Sequence, residues 1–186
     1  LDDVLSKQIK SDNDIVRIEN ARRYLERALN SYDDYADIYF IEANSGKVSF
    51  SATNLGLGQD KSNEGFYKTP IRTGEIHLSN VYQPVNKSIY VVSVAVPVRS
   101  IKSRDQIIGI LVFNINLNNT LYKLIEIKSG LGKTGETLIV NHDVIAINQL
   151  RWYEDAPLKL RIKAEPAVKA AAGGQGIINT LDYRGE

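Results

Sequence analysis

Two apolar segments rich in β-branched residues constrain the fold of this chain more than any other feature. They span residues 88–98 and 107–117, and only the polar segment 99–106 separates them. Such composition favours strands that are buried within a sheet, and a short connection lets consecutive strands pair antiparallel. We therefore predict that the two segments are neighbouring central strands of one antiparallel sheet.

A long amphipathic helix is predicted near the start of the chain. Apolar residues recur every three to four positions from Ile15 to Tyr32, and charged residues occupy the remaining faces, as is typical of a helix with one buried side. Polar residues 11–14 interrupt this pattern and are suited to begin a new helix at Ile15. The first turns are thus expected either to continue the helix or to form a separate segment.

A hairpin and a long loop region are predicted between this helix and the two apolar segments. Residues 37–42 and 47–52 read as strands around a tight turn at 44–46. Residues 54–82 are rich in glycine, serine, asparagine and aspartate, with short helix-like pieces and a possible edge strand at 75–78. This region is too long for a simple turn, and long loops over a sheet are frequent ligand sites.

The second half of the chain repeats this organisation on a smaller scale. Residues 136–140 and 144–148 are predicted to form a hairpin, residues 164–172 a helix, and residues 176–180 the start of a further strand. Two or three strands do not readily cover a core. We therefore expect a second module that is truncated within this sequence.

A glycine-rich stretch at 129–141 resembles a nucleotide loop, but its surroundings argue against that function. A Walker loop needs a glycine where Ile127 stands. Gly130, Gly132 and Gly135 satisfy the dinucleotide pattern, yet helical periodicity precedes them and a strand-like segment from Thr137 follows. This is the reverse of the order that a dinucleotide site requires. The stretch is instead expected to end a helix at Gly130 and lead into a second module.

Composition excludes several classes of partner. The 186 residues carry a formal charge of +1 with intermixed signs, which gives no reason to expect nucleic-acid binding. Cysteine is absent, so neither a disulfide framework nor a thiolate site is available. The sequence contains no apolar run long enough to span a membrane and no signal peptide. It is therefore expected to be a soluble piece of a longer protein.

Residues suited to catalysis or metal binding are few. His77 and His142 are the only histidines and lie in different modules, without a second ligand at helical spacing. Asp33, Asp34 and Asp37 form an acidic cluster that we interpret as a solvated junction between helix and strand. No serine lies in a nucleophile elbow. We expect no catalysis, no metal and no cofactor in this domain.

Aromatic and polar residues accumulate in the loops and strands around the first predicted sheet. Such a mixture can bind a small ligand, with aromatic walls and a few polar groups that fix its orientation. Each tyrosine can alternatively pack as an ordinary core residue. The candidate ligand-binding residues are Phe66, Tyr67, Lys68, Tyr82, Tyr90, Ser93 and Asn114.

The order and spacing of several motifs resemble the double Cache, or tandem PDC, sensor domains. In the first half these motifs are the turn 44–46, SNEGFY (62–67), LSNVY (78–82), VAVPV (94–98), IGILV (108–112) and NINL (114–117). The stretch 130–141 follows, at the place where the family links its two modules. The later motifs RWY (151–153), APL (156–158) and LDYRG (181–185) resemble the second module of such domains in membrane-bound histidine kinases. The resemblance extends over essentially the whole chain.

This resemblance implies an α+β fold with a long N-terminal helix and two PAS-like modules, each with a central antiparallel sheet. The implied divisions are a stalk helix at 1–35, a membrane-distal sensing module at 36–120, a connecting helix and glycine link at 121–132, and an incomplete membrane-proximal module at 133–186. The domain would lie outside the cytoplasm, anchored by flanking transmembrane helices. A homodimer through the N-terminal helix is a further expectation.

Amino-acid-binding members of this family grip the ligand carboxylate with an Arg-x-Trp-Tyr segment and the ammonium with an aspartate. By resemblance, Phe66 and Tyr67 occupy the Trp-Tyr positions, Glu64 replaces the arginine, and Asn114 replaces the aspartate. A carboxylate facing Glu64 would be repelled, and a neutral Asn114 attracts an ammonium less than a carboxylate does. We therefore expect a different small metabolite, or a pocket occupied by Lys68.

The resemblance implies a sensor domain of a two-component histidine kinase that binds a small molecule in the distal module and transmits a helix displacement. Two alternatives stay open. The domain could belong to a chemoreceptor or a diguanylate cyclase, or it could sense a protein partner without a small ligand.

Overall fold

The computed structural model describes residues 12–85, 87–125 and 131–185, with side chains from Ile15 onward. The first residues of the predicted stalk helix, and residues 126–130 of the predicted connecting helix and glycine link, lie outside the described residues. The chain divides into two compact units, Leu1–Thr120 and Leu121–Glu186. None of the described helices has both the length and the apolar character that crossing a membrane requires.

The first unit is built on one five-stranded sheet. Its strands are β1 (Tyr35–Glu42), β2 (Val48–Ser51), β3 (His77–Leu78), β4 (Val91–Arg99) and β5 (Ile107–Asn116). They lie in the order β2-β1-β5-β4-β3, and every neighbouring pair is antiparallel. The prediction that the two apolar segments are adjacent central strands is confirmed, since they form β4 and β5. The predicted hairpin is also present, as β1 and β2.

Helices cover both faces of this sheet because strand residues alternate in direction. Helix α1 (Asp12–Ser31) packs through Ile18, Ala21 and Leu25 against the face that carries Phe40 and Phe50. Helix α2 (Gly65–Thr73), which the sequence indicated only as a helix-like piece, covers the opposite face. There Phe66 and the partly buried Ile71 pack with Tyr39, Ile41 and neighbouring apolar residues. The α+β class with a long N-terminal helix is thus confirmed.

The second unit contains two short helices, α3 (Leu121–Ile125) and α4 (Glu165–Ala171). The predicted hairpin at 136–148 is formed only in part: an antiparallel bridge joins Val140 to Ala146 and the Ile147 amide donates to the Ile139 carbonyl at 2.9 Å, but no regular strands develop. Val144 has a positive φ of 58°, which breaks the extended backbone. The Asn148 side chain accepts the hydrogen bond of the Ile139 amide at 2.7 Å, where a continuous ladder would use a backbone carbonyl.

The predicted strand at 176–180 is wrong: no strand is formed there, and Ile177 is fully exposed. Within the described residues, the sheet of the first unit is therefore the one clear sheet. The second unit instead packs around a small core, formed by Ala146, Leu150, Ala156, Ile162 and Ala167.

Side-chain contacts tie the end of the described chain to the second unit. The Tyr183 hydroxyl donates to the Glu136 carboxylate. The guanidinium carbon of Arg184 lies 4.0 Å from the ring centroid of Trp152, in cation–π geometry. Both contacts join the predicted LDYRG motif to earlier parts of the same unit.

Candidate functional site

A cavity of about 820 Å³ lies within the first unit, on the α2 face of the sheet. Strands β1, β2 and β5 contribute its floor, and the start of α2 contributes one wall. Loop residues at 55–61, 83–85 and 87 contribute the remainder. The polar and aromatic residues that line it include Asp37, Tyr39, Gln59, Lys61, Glu64, Phe66, Tyr82, Lys87 and Asn114. Aromatic and polar groups thus face a common space.

A row of polar residues crosses the floor of this cavity. Asp37 on β1 and Ser93 on β4 both lie directly opposite Asn114 on β5, so all three project from the same face. The Ser93 hydroxyl donates to Asn114 Oδ1 at 2.7 Å. The Tyr82 hydroxyl is 2.8 Å from the Ser93 hydroxyl and completes the row. Hydrogen bonds therefore hold the Asn114 and Tyr82 side chains in place at the cavity wall.

Asp37 corrects one of our interpretations. Asp33 and Asp34 are exposed, as a solvated junction requires, but Asp37 is only 7% exposed and lies in β1. Its carboxylate accepts hydrogen bonds from the Ile38 amide at 2.8 Å and from the Ser51 hydroxyl at 3.2 Å. Period-two alternation with Tyr39 was the sequence signal that could have identified Asp37 as a residue of the sheet floor.

Burial raises the pKa of Asp37 above its ordinary value of 3.8, while hydrogen bonds from Thr53, Ser51 and the Ile38 amide oppose the increase. Because the carboxyl is harder to ionise in the folded chain than in the unfolded one, ionisation reduces stability. The folded state binds more protons between the two pKa values. The contribution of Asp37 to stability is therefore greatest at low pH and is lost as pH rises through the folded pKa.

We predict that Asp37→Asn removes this dependence. Relative to the wild type, the variant should gain free energy of unfolding as pH increases from about 4 towards neutrality. Urea denaturation of both proteins at several pH values measures the difference directly, and groups that titrate equally in both proteins cancel. A difference that stays constant across this range would contradict the assignment.

Aromatic side chains form the apolar part of the cavity. Tyr39 and Phe66 meet edge to face, with ring centroids 6.5 Å apart. Burial raises the pKa of both Tyr39 and Tyr82, so their hydroxyls stay protonated at neutral pH. The cavity therefore presents neutral hydroxyl groups and ring faces beside one buried carboxyl group.

The structure separates the seven candidate residues into three groups. Phe66, Tyr82 and Asn114 line the cavity, and Ser93 is fully buried behind them. Tyr67 and Lys68 line a different cavity of about 530 Å³ beside α2, where the Tyr67 hydroxyl donates to the Ala43 carbonyl at 2.7 Å. Lys68 is exposed and does not occupy the first cavity.

The seventh candidate, Tyr90, precedes β4 and does not line either cavity. Its amide donates to Asn118 Oδ1 at 3.1 Å, and its carbonyl accepts from the Leu117 amide.

Several cavity residues were absent from the candidate set. Asp37 and Tyr39 reach the cavity from β1, and Gln59, Lys61 and Lys87 reach it from the loops. Loop residues carry no periodic signal, so only the path of the chain brings them to the cavity. Among the described residues, no group of three potential metal-binding side chains occurs.

The sequence matches no protein-family model, and no curated protein is similar enough to it for comparison. The fold, however, is similar to that of several solved sensor domains. The extracellular domain of a protein described as the histidine kinase mmHK1S-Z2 superposes with a TM-score of 0.63 at 17% identity, over 88% of this chain and 71% of that domain.

Two chemoreceptor domains are also similar. The ligand-binding domain of the Pseudomonas aeruginosa PAO1 amino-acid chemoreceptor PctC, solved with GABA, gives a TM-score of 0.57 at 17% identity, over 86% of this chain and 66% of that one. The ligand-binding domain of the Campylobacter jejuni chemoreceptor Tlp3, solved with 4-methylisoleucine, gives a TM-score of 0.55 at 18% identity. That match covers 77% of this chain and 55% of the Tlp3 domain. The chain thus spans less than two thirds of both receptor domains. It has the fold of extracellular sensor domains of chemoreceptors and histidine kinases.

Proposed function

We propose that this chain is the extracytoplasmic ligand-binding sensor domain of a transmembrane histidine kinase, and that it binds a small molecule in the cavity of the Leu1–Thr120 unit. The observation that carries the proposal is the cavity itself, with a hydrogen-bonded polar row on its floor. Its volume of about 820 Å³ lies in the range of small-molecule sites, which also combine apolar walls with a few placed polar groups. The domain has no catalytic role in this proposal.

Strand β1 offers a direct mechanical path from the cavity to α1. Asp37 and Tyr39 face the cavity, whereas Phe40, the next residue along, belongs with Phe50 to the cluster against which α1 packs. A ligand that favours one position of β1 would therefore favour one position of α1. Helix shifts of roughly 1–2 Å are typical of such switches.

The finer architecture is part of the same proposal. The Leu1–Thr120 unit corresponds to a stalk helix with a membrane-distal sensing module, and the Leu121–Glu186 unit to part of a membrane-proximal module. Transmembrane helices would flank the domain in the full protein. A homodimer through α1 stays a prediction, for which the exposed Ile15, Val16 and Tyr24 offer apolar surface.

A chemoreceptor is the second candidate, because PctC and Tlp3 are both chemoreceptors with this fold. The cavity serves either receptor in the same way, so the two candidates differ only in the effector. Joining the domain to a known kinase module and to a known chemoreceptor signalling module, then measuring the response to a binder, would distinguish them.

Ligand binding is tested by thermal denaturation with a defined panel: the proteinogenic L-amino acids, and the C2–C6 monoamines, diamines, monocarboxylates and dicarboxylates. A compound at 100 times its Kd should add about 2.7 kcal/mol of stability, or about 5–10 °C in Tm for a chain of this size. Asn114→Ala, which alters the cavity floor, should lose most of this increase. Lys68→Ala, on the opposite side of α2, should retain it.

Two results would contradict the proposal. One is a panel in which no compound raises the Tm of the wild-type chain. The other is a stabilising compound that acts equally on Asn114→Ala, since such a compound would bind outside this cavity.

A further inference from the structure

We infer that the cavity binds a small organic amine, with its ammonium group held by the carboxylate of Asp37 next to Asn114. This inference rests on the proposed function, because it identifies the chemical class of the ligand for the same cavity. It is carried by the position and surroundings of Asp37, which the sequence alone did not connect with ligand binding.

Asp37 is a buried acid without a cationic partner. It lines the cavity at 7% exposure, and none of the ion pairs among the described residues includes it. Its hydrogen bonds come from the neutral groups of Ile38, Ser51 and Thr53. An ionised carboxylate buried in this way is costly unless a positive charge compensates it. A cationic ligand group supplies that charge.

The neutral donors of Ile38, Ser51 and Thr53 share the acceptor sites of the Asp37 carboxylate, of which its two oxygens offer about four. None of these donors brings the positive charge that an ammonium would supply. Asn114 lies opposite Asp37 and also lines the cavity, with its Oδ1 accepting from the Ser93 hydroxyl at 2.7 Å. An ammonium is a compact group with three donors, so it can lie against Asp37 and the polar groups of the adjacent strand.

The walls of the cavity favour an organic cation over a metal ion. Tyr39, Phe66 and Tyr82 line the same space as Asp37, and aromatic faces attract ammonium groups through cation–π interactions. Calcium requires six to eight oxygen ligands, usually with several carboxylates. One buried carboxylate among aromatic rings does not meet that requirement.

The other charged residues of the cavity determine which second charged group the amine ligand can carry. Glu64 is an exposed acid at the cavity, and Lys61 and Lys87 are half-buried bases in its lining. A carboxylate would be repelled at Asp37 but could be accommodated near the lysines. The amine is therefore the required group, and a second charged group at the other end of the ligand is optional.

The test compares compounds that differ only in the charged group. Isothermal titration of the whole chain uses butane-1,4-diamine, 4-aminobutanoate and butanoate, followed by the corresponding sets from two to six carbons. Binding by one or more compounds that carry an amine, with no binding by the carboxylates without one, supports the inference. Binding only by compounds without an amine overturns it.

Three variants separate the effect of the Asp37 charge from effects on the fold. Asp37→Asn keeps the size and most hydrogen bonds of the side chain, and it should weaken amine binding by about 30-fold or more. Asp34→Asn removes an exposed charge from the same junction and should leave the affinity unchanged. The exchanged pair Asp37→Asn/Asn114→Asp returns a carboxylate to the adjacent strand and should bind more tightly than Asp37→Asn alone.

The outcomes also distinguish this inference from the proposed function. A compound without an amine that binds the wild type and loses affinity in Asn114→Ala would overturn the amine assignment but support a sensor cavity. Failure of every compound to bind would count against both. An Asp37→Asn variant that binds amines as tightly as the wild type, or an exchanged pair that recovers nothing, would show that Asp37 is not the amine anchor.

Discussion

Replacing Phe66 with alanine is expected to lower the free energy of unfolding by about 3–5 kcal/mol, the usual cost of truncating a buried phenylalanine. Phe66 is 8% exposed and packs edge to face on Tyr39, in a cluster that also contains Ile110 and Val112. It is the main apolar contact between the start of α2 and the sheet. Because Phe66 also lines the cavity, its loss should weaken ligand binding as well.

Hydrogen exchange of the β5 amides, combined with urea denaturation, measures the loss of stability in the Leu1–Thr120 unit, to which Phe66 belongs. Trp152 fluorescence is unsuitable, since Trp152 belongs to the second unit. Phe66→Leu keeps part of the apolar volume and should cost less. Phe113→Ala is the control. It truncates a half-buried ring whose centroid lies 5.9 Å from that of Tyr35, and it should leave ligand binding intact. A Phe66→Ala loss below about 1 kcal/mol would contradict the packing described for α2.

Replacing Gly109 with valine is expected to destabilise the first unit by about 3 kcal/mol or more, at the upper end of the cost of overpacking. A Cβ at this position in β5 would lie 2.5 Å from Cε1 of the Phe40 ring and 2.5 Å from the Ile41 carbonyl oxygen. The ring is held in place by its stack on Phe50, with centroids 4.9 Å apart and planes within 1°. Neither obstacle can move away cheaply.

The expected destabilisation by Gly109→Val is opposite to what strand propensity alone suggests. Valine is favoured over glycine in strands, so strand propensity alone predicts that Gly109→Val is stabilising. Gly65→Ala is the control, because an added Cβ there meets only His77 Nε2 at 3.8 Å, and it should be neutral within about 0.5 kcal/mol. Urea denaturation that gives Gly109→Val the same free energy of unfolding as the wild type would exclude this close approach of the Phe40 ring to Gly109.

Sequence patterns predicted the first unit well because its elements are strongly periodic or strongly apolar. The helix ending near Tyr32 and the strands β4 and β5 follow from spacing and β-branched composition, with boundaries only a few residues away from those observed. The second unit was harder to predict. Its segments at 136–148 have strand-like composition, but Val144 and Asn148 replace continuous pairing with a turn and a side-chain hydrogen bond.

The candidate site shows the same division. Phe66, Tyr82 and Asn114 were recognisable from their residue types and motifs, and all three line the cavity. Tyr67 lies beside Phe66 in the sequence, yet its hydroxyl contacts the Ala43 carbonyl away from that cavity. Adjacent residues on one helix point in directions about 100° apart, so a motif alone does not decide which of them faces a ligand.

By itself, the sequence determined the α+β class, the amphipathic helix and the central antiparallel strands, because periodicity and side-chain branching act over a few neighbouring residues. Only the tertiary structure decided that Asp37 is buried beside Asn114, that Gly109 lies beneath the Phe40 ring, and that distant loops complete a cavity. These features depend on strand register and on the face to which each side chain points. Register is settled only when all strands and helices pack together.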